Sequence, residues 1–427
     1  MKILIHNITA LTLIDKSVRK NISIAIEKGH ISKIAPQIDP EGFDTVIDGN
    51  RKLIMPGFVN AHTHVPMVLL RGLGDDLPLQ RWLEEAIWPT EAKLTDEAVY
   101  WGTLLGIAEM IRSGTTSFND MYFYCDAIAR AVLESGMRAR LSHGMIALTP
   151  GEKLEKECAE TARFIQTWHG KAEGRIQTAI GPHAPFTVHD ELWRRAIALA
   201  KRYNVPIHTH LQETRREVED SFNTYGITPA ARLETLGVFS VPTIVAHGVH
   251  LTDQDIDLLA RRHVSVIHCP TSNLKLGSGI APMEKFIRAK LSIGIGSDGA
   301  AANNNIDMLE EMRLSALLHK RENPTALPAY EALKHATVGS AHALGWQDLG
   351  TISEGQKADL IILDCTGPHW IPNREPIADL VYAASSADVE TVIIDGRLVM
   401  KDRQILTFDE ALVKIKANEQ SEKLNRR

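Results

Sequence analysis

Eight times in the middle of the chain one unit repeats: a short apolar run, a polar loop, then ten or more residues whose apolar positions recur at helical spacing. The runs fall at 53–62 (LIMPGFVNAH), 115–121 (TTSFNDM), 139–145 (ARLSHGM), 176–183 (IQTAIGPH), 205–211 (VPIHTHL), 243–249 (TIVAHGV), 264–269 (VSVIHC) and 291–297 (LSIGIGS). Strand periodicity that alternates with helix periodicity eight times leaves few folds open, and the count is that of a closed (β/α)8 barrel of the TIM type. Helices are expected at 189–203 and 253–262, where acidic residues gather at the start and basic ones at the end. In such a barrel the reactive groups come from the C-terminal ends of the strands.

The two chain ends have a different texture. Residues 1–55 show short alternating segments separated by polar or Gly/Pro turns, which reads as antiparallel β structure, and the pattern returns only at 358–364 (ADLIILD) and 389–400 (VETVIIDGRLVM). Neither end is long enough for a stable sheet alone. They are expected to join as a small β-sandwich domain made of residues 1–55 and 357–427, with the barrel, residues 56–356, inserted between them. A chain of 427 residues exceeds what one hydrophobic core supports, which fits that division. The tail 409–427 reads as a solvated helix.

Composition narrows the partners. The net charge is −6 and no run of Lys or Arg occurs, so phosphate backbones have nothing to bind and nucleic acid is not an expected partner. No stretch approaches 18 consecutive apolar residues, and the N-terminal MKILIHNITALTLID alternates like a strand rather than carrying a signal-peptide core. A cytoplasmic protein without membrane contact is expected. The four cysteines, Cys125, Cys158, Cys269 and Cys365, lie far apart without a C-x-x-C pair and read as buried thiols.

Six polar residues stand at the strand ends. His62 and His64 lie two apart, so strand pleating points both imidazoles to one side, where two neutral rings can chelate one divalent ion. In His208-Thr-His210-Leu-Gln-Glu213 the two histidines also share a face, so pleating does not choose between them. His210 is the last before the loop and is taken as the ligand, with Glu213 just beyond the strand. His247 closes the sixth run, and Asp298 follows the eighth, where a carboxylate suits both metal ligation and removal of a proton from water. Its bland alternative is a helix N-cap. The segment 294–299 (GIGSDG) also fits G-x-G-x-x-G, but it comes late in the chain and no acidic residue ends a second strand about 20 residues on. Its glycines read as places where backbone passes close to the metal and substrate.

The segments PGFVNAHTHVPM (56–67), HTHLQET (208–214), VAHGVHL (245–251), HCPTSNLKLGSGIAP (268–282) and GIGSDGAAANNNIDM (294–308) resemble the amidohydrolase superfamily in its cyclic-amidine deaminase branch, within it the 5′-methylthioadenosine/S-adenosylhomocysteine deaminase family. The likeness extends to GTISEGQKADLIILD (350–364). It implies that His62, His64, His210 and Asp298 hold one divalent metal ion, usually Zn2+, with Glu213 as proton shuttle and His247 polarising water or substrate. It also implies that Glu91 in RWLEEAIWPTE holds the ribose hydroxyls, that Trp82 covers the base and that His183 in GPHAPF binds substrate. A second ion would need a carboxylated lysine after the fourth strand, where this chain has His183. Where relatives are expected to carry an arginine for a substrate carboxylate, GMRARLSHG places His143, with Arg138 or Arg140 as substitutes.

The activity implied is hydrolytic deamination of the adenine ring of 5′-methylthioadenosine, S-adenosylhomocysteine or adenosine. The alternatives are a deaminase or chlorohydrolase of the same branch acting on guanine-like bases or s-triazines, and a non-catalytic barrel that only binds. A small-molecule nucleoside and further copies of the chain in a homo-oligomer are the expected partners.

Overall fold

A computed structural model describes residues 1–321 and 323–426. Period-two alternation gives a strand one face to bury, and β1 (Lys2–Leu11) buries Ile3, Ile5, Ile8 and Ala10 in an aliphatic core. Ile24 and Ile26 of β2 (Val18–Glu27) and Ile31 of β3 (His30–Ala35) join the same core across antiparallel pairings. β4 (Thr45–Asp48) and β5 (Lys52–Pro56) depart from the antiparallel expectation, since both lie parallel to β1.

Eight parallel strands follow: β6 (Phe58–Thr63), β7 (Thr115–Tyr122), β8 (Arg138–Met145), β9 (Ile176–Pro182), β10 (Ile207–Leu211), β11 (Thr243–His247), β12 (Ser265–His268) and β13 (Ser292–Ile295). Each lies within or against one of the expected runs. The run 53–62, however, is two strands rather than one. It divides at Gly57, where a β-carbon would sit 2.1 Å from the Thr116 side chain, so only glycine lets the chain turn against β7 there.

The barrel closes between its last and first strands. Asn60 donates to Ser297 Oγ at 2.7 Å and accepts from Ser297 N at 3.0 Å, and Asp298 N donates to His62 O at 3.0 Å. Gly294 and Gly296 make that approach possible: a β-carbon on Gly294 would lie 3.1 Å from Ala61 Cβ, and one on Gly296 would lie 2.7 Å from both the N and O of His62. Gly294 and Gly296 therefore serve strand packing rather than an approach to metal or substrate, while a β-carbon on Gly299 would lie 3.2 Å from His64 Cβ.

Helices flank the barrel, and the two expected ones appear as Asp190–Tyr203 and Asp253–Arg261. Side chains of His189 and Thr252 cap their first turns. The chain then returns to the first sheet through β14 (Leu360–Asp364), β15 (Val389–Ile394), β16 (Arg397–Lys401) and β17 (Gln404–Ile405), with β14 antiparallel to β5. Both chain ends thus share one mixed sheet of nine strands. Arg138 at the start of β8 ties the barrel to it, forking onto Asp359 at 2.7 and 3.1 Å and reaching Asp395 at 3.4 Å.

The C-terminal helix Glu410–Arg426 is not merely solvated. It buries Val413, Ala417 and Leu424, pairs Glu410 with Arg112 at 2.6 Å, and donates from Ser421 Oγ to Leu69 O at 3.1 Å. All four cysteines are buried thiols. Among the described residues no helix is long and apolar enough to cross a membrane.

Candidate active site

Three imidazoles converge at the C-terminal mouth of the barrel. One ring nitrogen from each of His62, His64 and His210 lies within 4.8 Å of the others. The opposite nitrogen of each ring is engaged: His64 Nδ1 lies 2.6 Å from Met121 O, His210 Nδ1 2.7 Å from His183 O, and His62 Nδ1 2.9 Å from His208 Nε2. A ring nitrogen facing a carbonyl must carry the hydrogen, which leaves Nε2 of His64 and His210 as lone-pair donors. His62 Nε2 is buried with no hydrogen-bond partner. Burial pushes His62 down to about 4 and His210 well below the usual imidazole range, so these rings are neutral, the form that binds a metal. His208 faces His62 from within the barrel and also meets the Asn119 amide.

Asp298 completes the cluster, its Oδ1 3.3 Å from His64 Nε2 and 3.6 Å from His62 Nε2. The same oxygen accepts from Gly299 N at 2.8 Å, and Oδ2 accepts from Ser272 Oγ at 2.6 Å. No side chain caps the short helix Ala300–Asn303 that follows, so Asp298 is not serving as its N-cap. Both Asp298 (φ 61°) and His247 (φ 71°) adopt left-handed backbone at the ends of their strands, a costly conformation that clusters at functional sites. An orphaned buried nitrogen, two further imidazole lone pairs and a carboxylate form a donor set suited to a zinc-like ion.

Glu213 lies just past β10, with His247 Nε2 3.7 Å from its Oε2 and Ser278 Oγ donating to Oε1 at 3.3 Å. Burial raises its carboxyl above the usual range, only partly opposed by His247. For His247 burial acts downward, but Glu213 and Asp298 outweigh it and the ring is raised. Its Nδ1 lies 2.9 Å from Asn273 Oδ1, which fixes the hydrogen on that nitrogen.

These groups form the inner end of a cavity of about 730 Å³ that Trp82, Glu91 and His183 also line. Trp82 is pinned by its Nε1–H to Leu73 O at 3.1 Å, and His183 Nδ1 meets Thr187 Oγ1 at 2.9 Å. Burial raises the Glu91 carboxyl to about 7, while the Tyr122 hydroxyl beside it pulls the other way.

His143 does not join them. It lies outside the cavity wall and pairs with Glu157 at 2.6 Å on the helix Glu152–Trp168, because Ser142 takes the inward position of β8 and the pleat turns the next residue outward. Neither proposed substitute reaches the cavity: Arg138 is held by Asp359, and Arg140 donates to the carbonyls of Thr178 and Leu344.

Several residues went unread in the sequence. Ser272, Asn273 and Ser278 orient Asp298, His247 and Glu213, and their signal is a polar run just past a strand end, within the segment 268–282 that carries the family resemblance. Three buried carboxylates hold the loops by accepting backbone N–H groups: Asp120 from Val65 at 2.7 Å, Glu217 from Glu213 at 2.9 Å, Glu311 from Thr271 at 3.3 Å. Burial raises them to about 8, 7 and 8 respectively. In sequence Glu217 and Glu311 look like ordinary solvated helix acids.

Residues 53–399 match the model of the amidohydrolase family. A 5-methylthioadenosine/S-adenosylhomocysteine deaminase of Pelotomaculum thermopropionicum is 48% identical, covering 99% of this chain and 98% of the relative. A 5'-deoxyadenosine deaminase of Methanothermobacter thermautotrophicus is 47% identical over 95% of each chain. The crystal structure of an adenosine deaminase from Xanthomonas campestris with bound zinc superposes with a TM-score of 0.93 at 36% identity, covering 100% of this chain and 99% of the other. The chain belongs to the amidohydrolase family.

Proposed function

We propose that the protein is a metal-dependent hydrolytic deaminase that converts the adenine ring of a nucleoside such as 5′-methylthioadenosine, S-adenosylhomocysteine or adenosine to its hypoxanthine counterpart, releasing ammonia. The observation that carries this reading is the gathering of three imidazole nitrogens and Asp298 at the inner end of a cavity, with the buried Glu213 carboxyl beside them. Deaminases of 5′-modified adenosines among full-length relatives support it.

His62, His64, His210 and Asp298 would hold one ion, zinc by donor type and by the zinc of the structural relative. When bound, that ion makes hydroxide available at neutral pH by lowering the pKa of water from about 16 towards 7. The chain's own groups do the rest. Asp298 takes the proton of the attacking water, and its hydrogen bond from Ser272 keeps the carboxylate aimed. Glu213, whose carboxyl burial raises above the usual range, donates a proton to ring N1 as the water oxygen adds to C6. The proton held on Asp298 then passes to the amino group, which leaves as ammonia, while the proton of the C6 hydroxyl returns to Glu213 as the C6 carbonyl forms. His247 polarises the attacked centre, Trp82 covers the base, His183 binds it, and Glu91 accepts from the ribose hydroxyls.

Replacing Glu213 by Gln removes the transferable proton without touching a ligand. Deamination is expected to fall by about 10³-fold with zinc content unchanged. Turnover within tenfold of the parent by ultraviolet assay, with metal measured on the same sample, would remove Glu213 from the mechanism.

A further inference from the structure

Part of the cavity lining is apolar. Trp88, Phe123, Ile146 and Phe186 line it, and each keeps part of its surface open, Phe186 as much as 40%. Among the described residues no lysine or arginine lines the cavity. Three basic groups are committed elsewhere: His143 to Glu157, Lys275 to Asp75 at 2.7 Å, Arg232 to Asp190. With the base at Glu213 and the ribose at Glu91, a 5′ substituent would extend past the ribose towards these side chains, of which Trp88 stands on the same short helix as Glu91.

We infer that the cavity selects adenosines whose 5′ substituent is neutral and apolar, an alkylthio group above all, and discriminates against S-adenosylhomocysteine. This rests on the deaminase reading above. An alkyl group moved from water onto Trp88, Phe123, Ile146 and Phe186 gains the full benefit of apolar burial. The carboxylate and ammonium of a homocysteine tail brought to the same wall lose hydration, and among the lining residues no lysine or arginine replaces it for the carboxylate. Three of the four side chains are aromatic, so the wall is large enough to reward more than a methyl.

The test compares kcat/KM for 5′-methylthioadenosine, 5′-butylthioadenosine and S-adenosylhomocysteine on the zinc-loaded protein. Butylthio and homocysteine tails have similar length, so charge is what separates them. The neutral thioethers are expected within about fivefold of each other, with S-adenosylhomocysteine at least about 30-fold below both. S-adenosylhomocysteine within about threefold of the butylthio compound overturns the inference and leaves the deaminase reading intact; no turnover of any of the three sinks that reading as well. Ile146→Arg supplies a cation at the wall and is expected to shift the ratio towards S-adenosylhomocysteine by about tenfold. An unchanged ratio in a variant that still turns over 5′-methylthioadenosine argues against this wall as the 5′ site.

Discussion

Glu91 is where burial and the proposed chemistry oppose each other. An acceptor for two ribose hydroxyls works as a carboxylate, yet burial lifts this group to about 7, so below neutrality it is protonated in the free protein. KM for nucleosides is therefore expected to rise as pH falls through 7, by up to about tenfold per unit, because proton binding competes with the diol. Glu91→Gln should raise KM at pH 8 and flatten its pH dependence; a parent enzyme whose KM is level from pH 5.5 to 8.5 would take Glu91 away from the ribose. A guanine-like or triazine substrate, lacking a diol, would give that level profile. The residues that look like ligands were legible because each stands at or just past a strand end, a position that can be counted. His143 was misplaced for the same reason in reverse, since parity along β8 decides its face and the motif does not reveal parity.

At the scale of elements the seam between β13 and β6 holds the metal cluster together. A β-carbon at Gly296 would press on the backbone of His62, not on a flexible side chain, so the strands themselves must part. Gly296→Ala is expected to cost about 1–3 kcal/mol of stability and to weaken zinc binding through displacement of His62, read by urea unfolding and by metal titration. Unfolding and affinity like the parent's would show that the seam has slack. The eight barrel strands were readable from periodicity, yet the run 53–62 concealed a boundary, because apolar character continues across Gly57 while the cause of the turn is Thr116, 59 residues later. Parallel pairing of β4 and β5 with β1 was equally hidden, since alternation reports which face is buried and not which way a neighbour runs. The terminal helix looked solvated because the apolar residues it buries, Val413, Ala417 and Leu424, are sparse among charges.

Across the whole molecule, burial of ionisable groups around the barrel sets how stability follows pH. Burial lowers His62, His183 and His335 to about 4, 3 and 4, and puts His208, His210 and His268 well below the usual range. In the unfolded chain these rings take up protons below about 6.5, which the folded chain does not, so stability must rise with pH from 4.5 to about 6.5. Burial acts in the opposite sense on Glu91, Asp120, Glu217 and Glu311, raised to about 7, 8, 7 and 8. The folded state keeps protons there that the unfolded state has already lost above about pH 4.5, and this lowers stability as pH rises. Histidines outnumber carboxyls in the acidic window, but above 6.5 the unfolded rings progressively lose their protons too and the carboxyls come to dominate. For the metal-free chain, urea midpoints are thus expected to peak near pH 6.5 and to fall by about 2 kcal/mol in unfolding free energy by pH 8. Asp120→Asn and Glu311→Gln together should flatten the alkaline limb, because the amides hold the same loops without a proton to lose. A midpoint that climbs steadily from pH 6.5 to 9 would mean that these carboxyls are ionised in the folded protein.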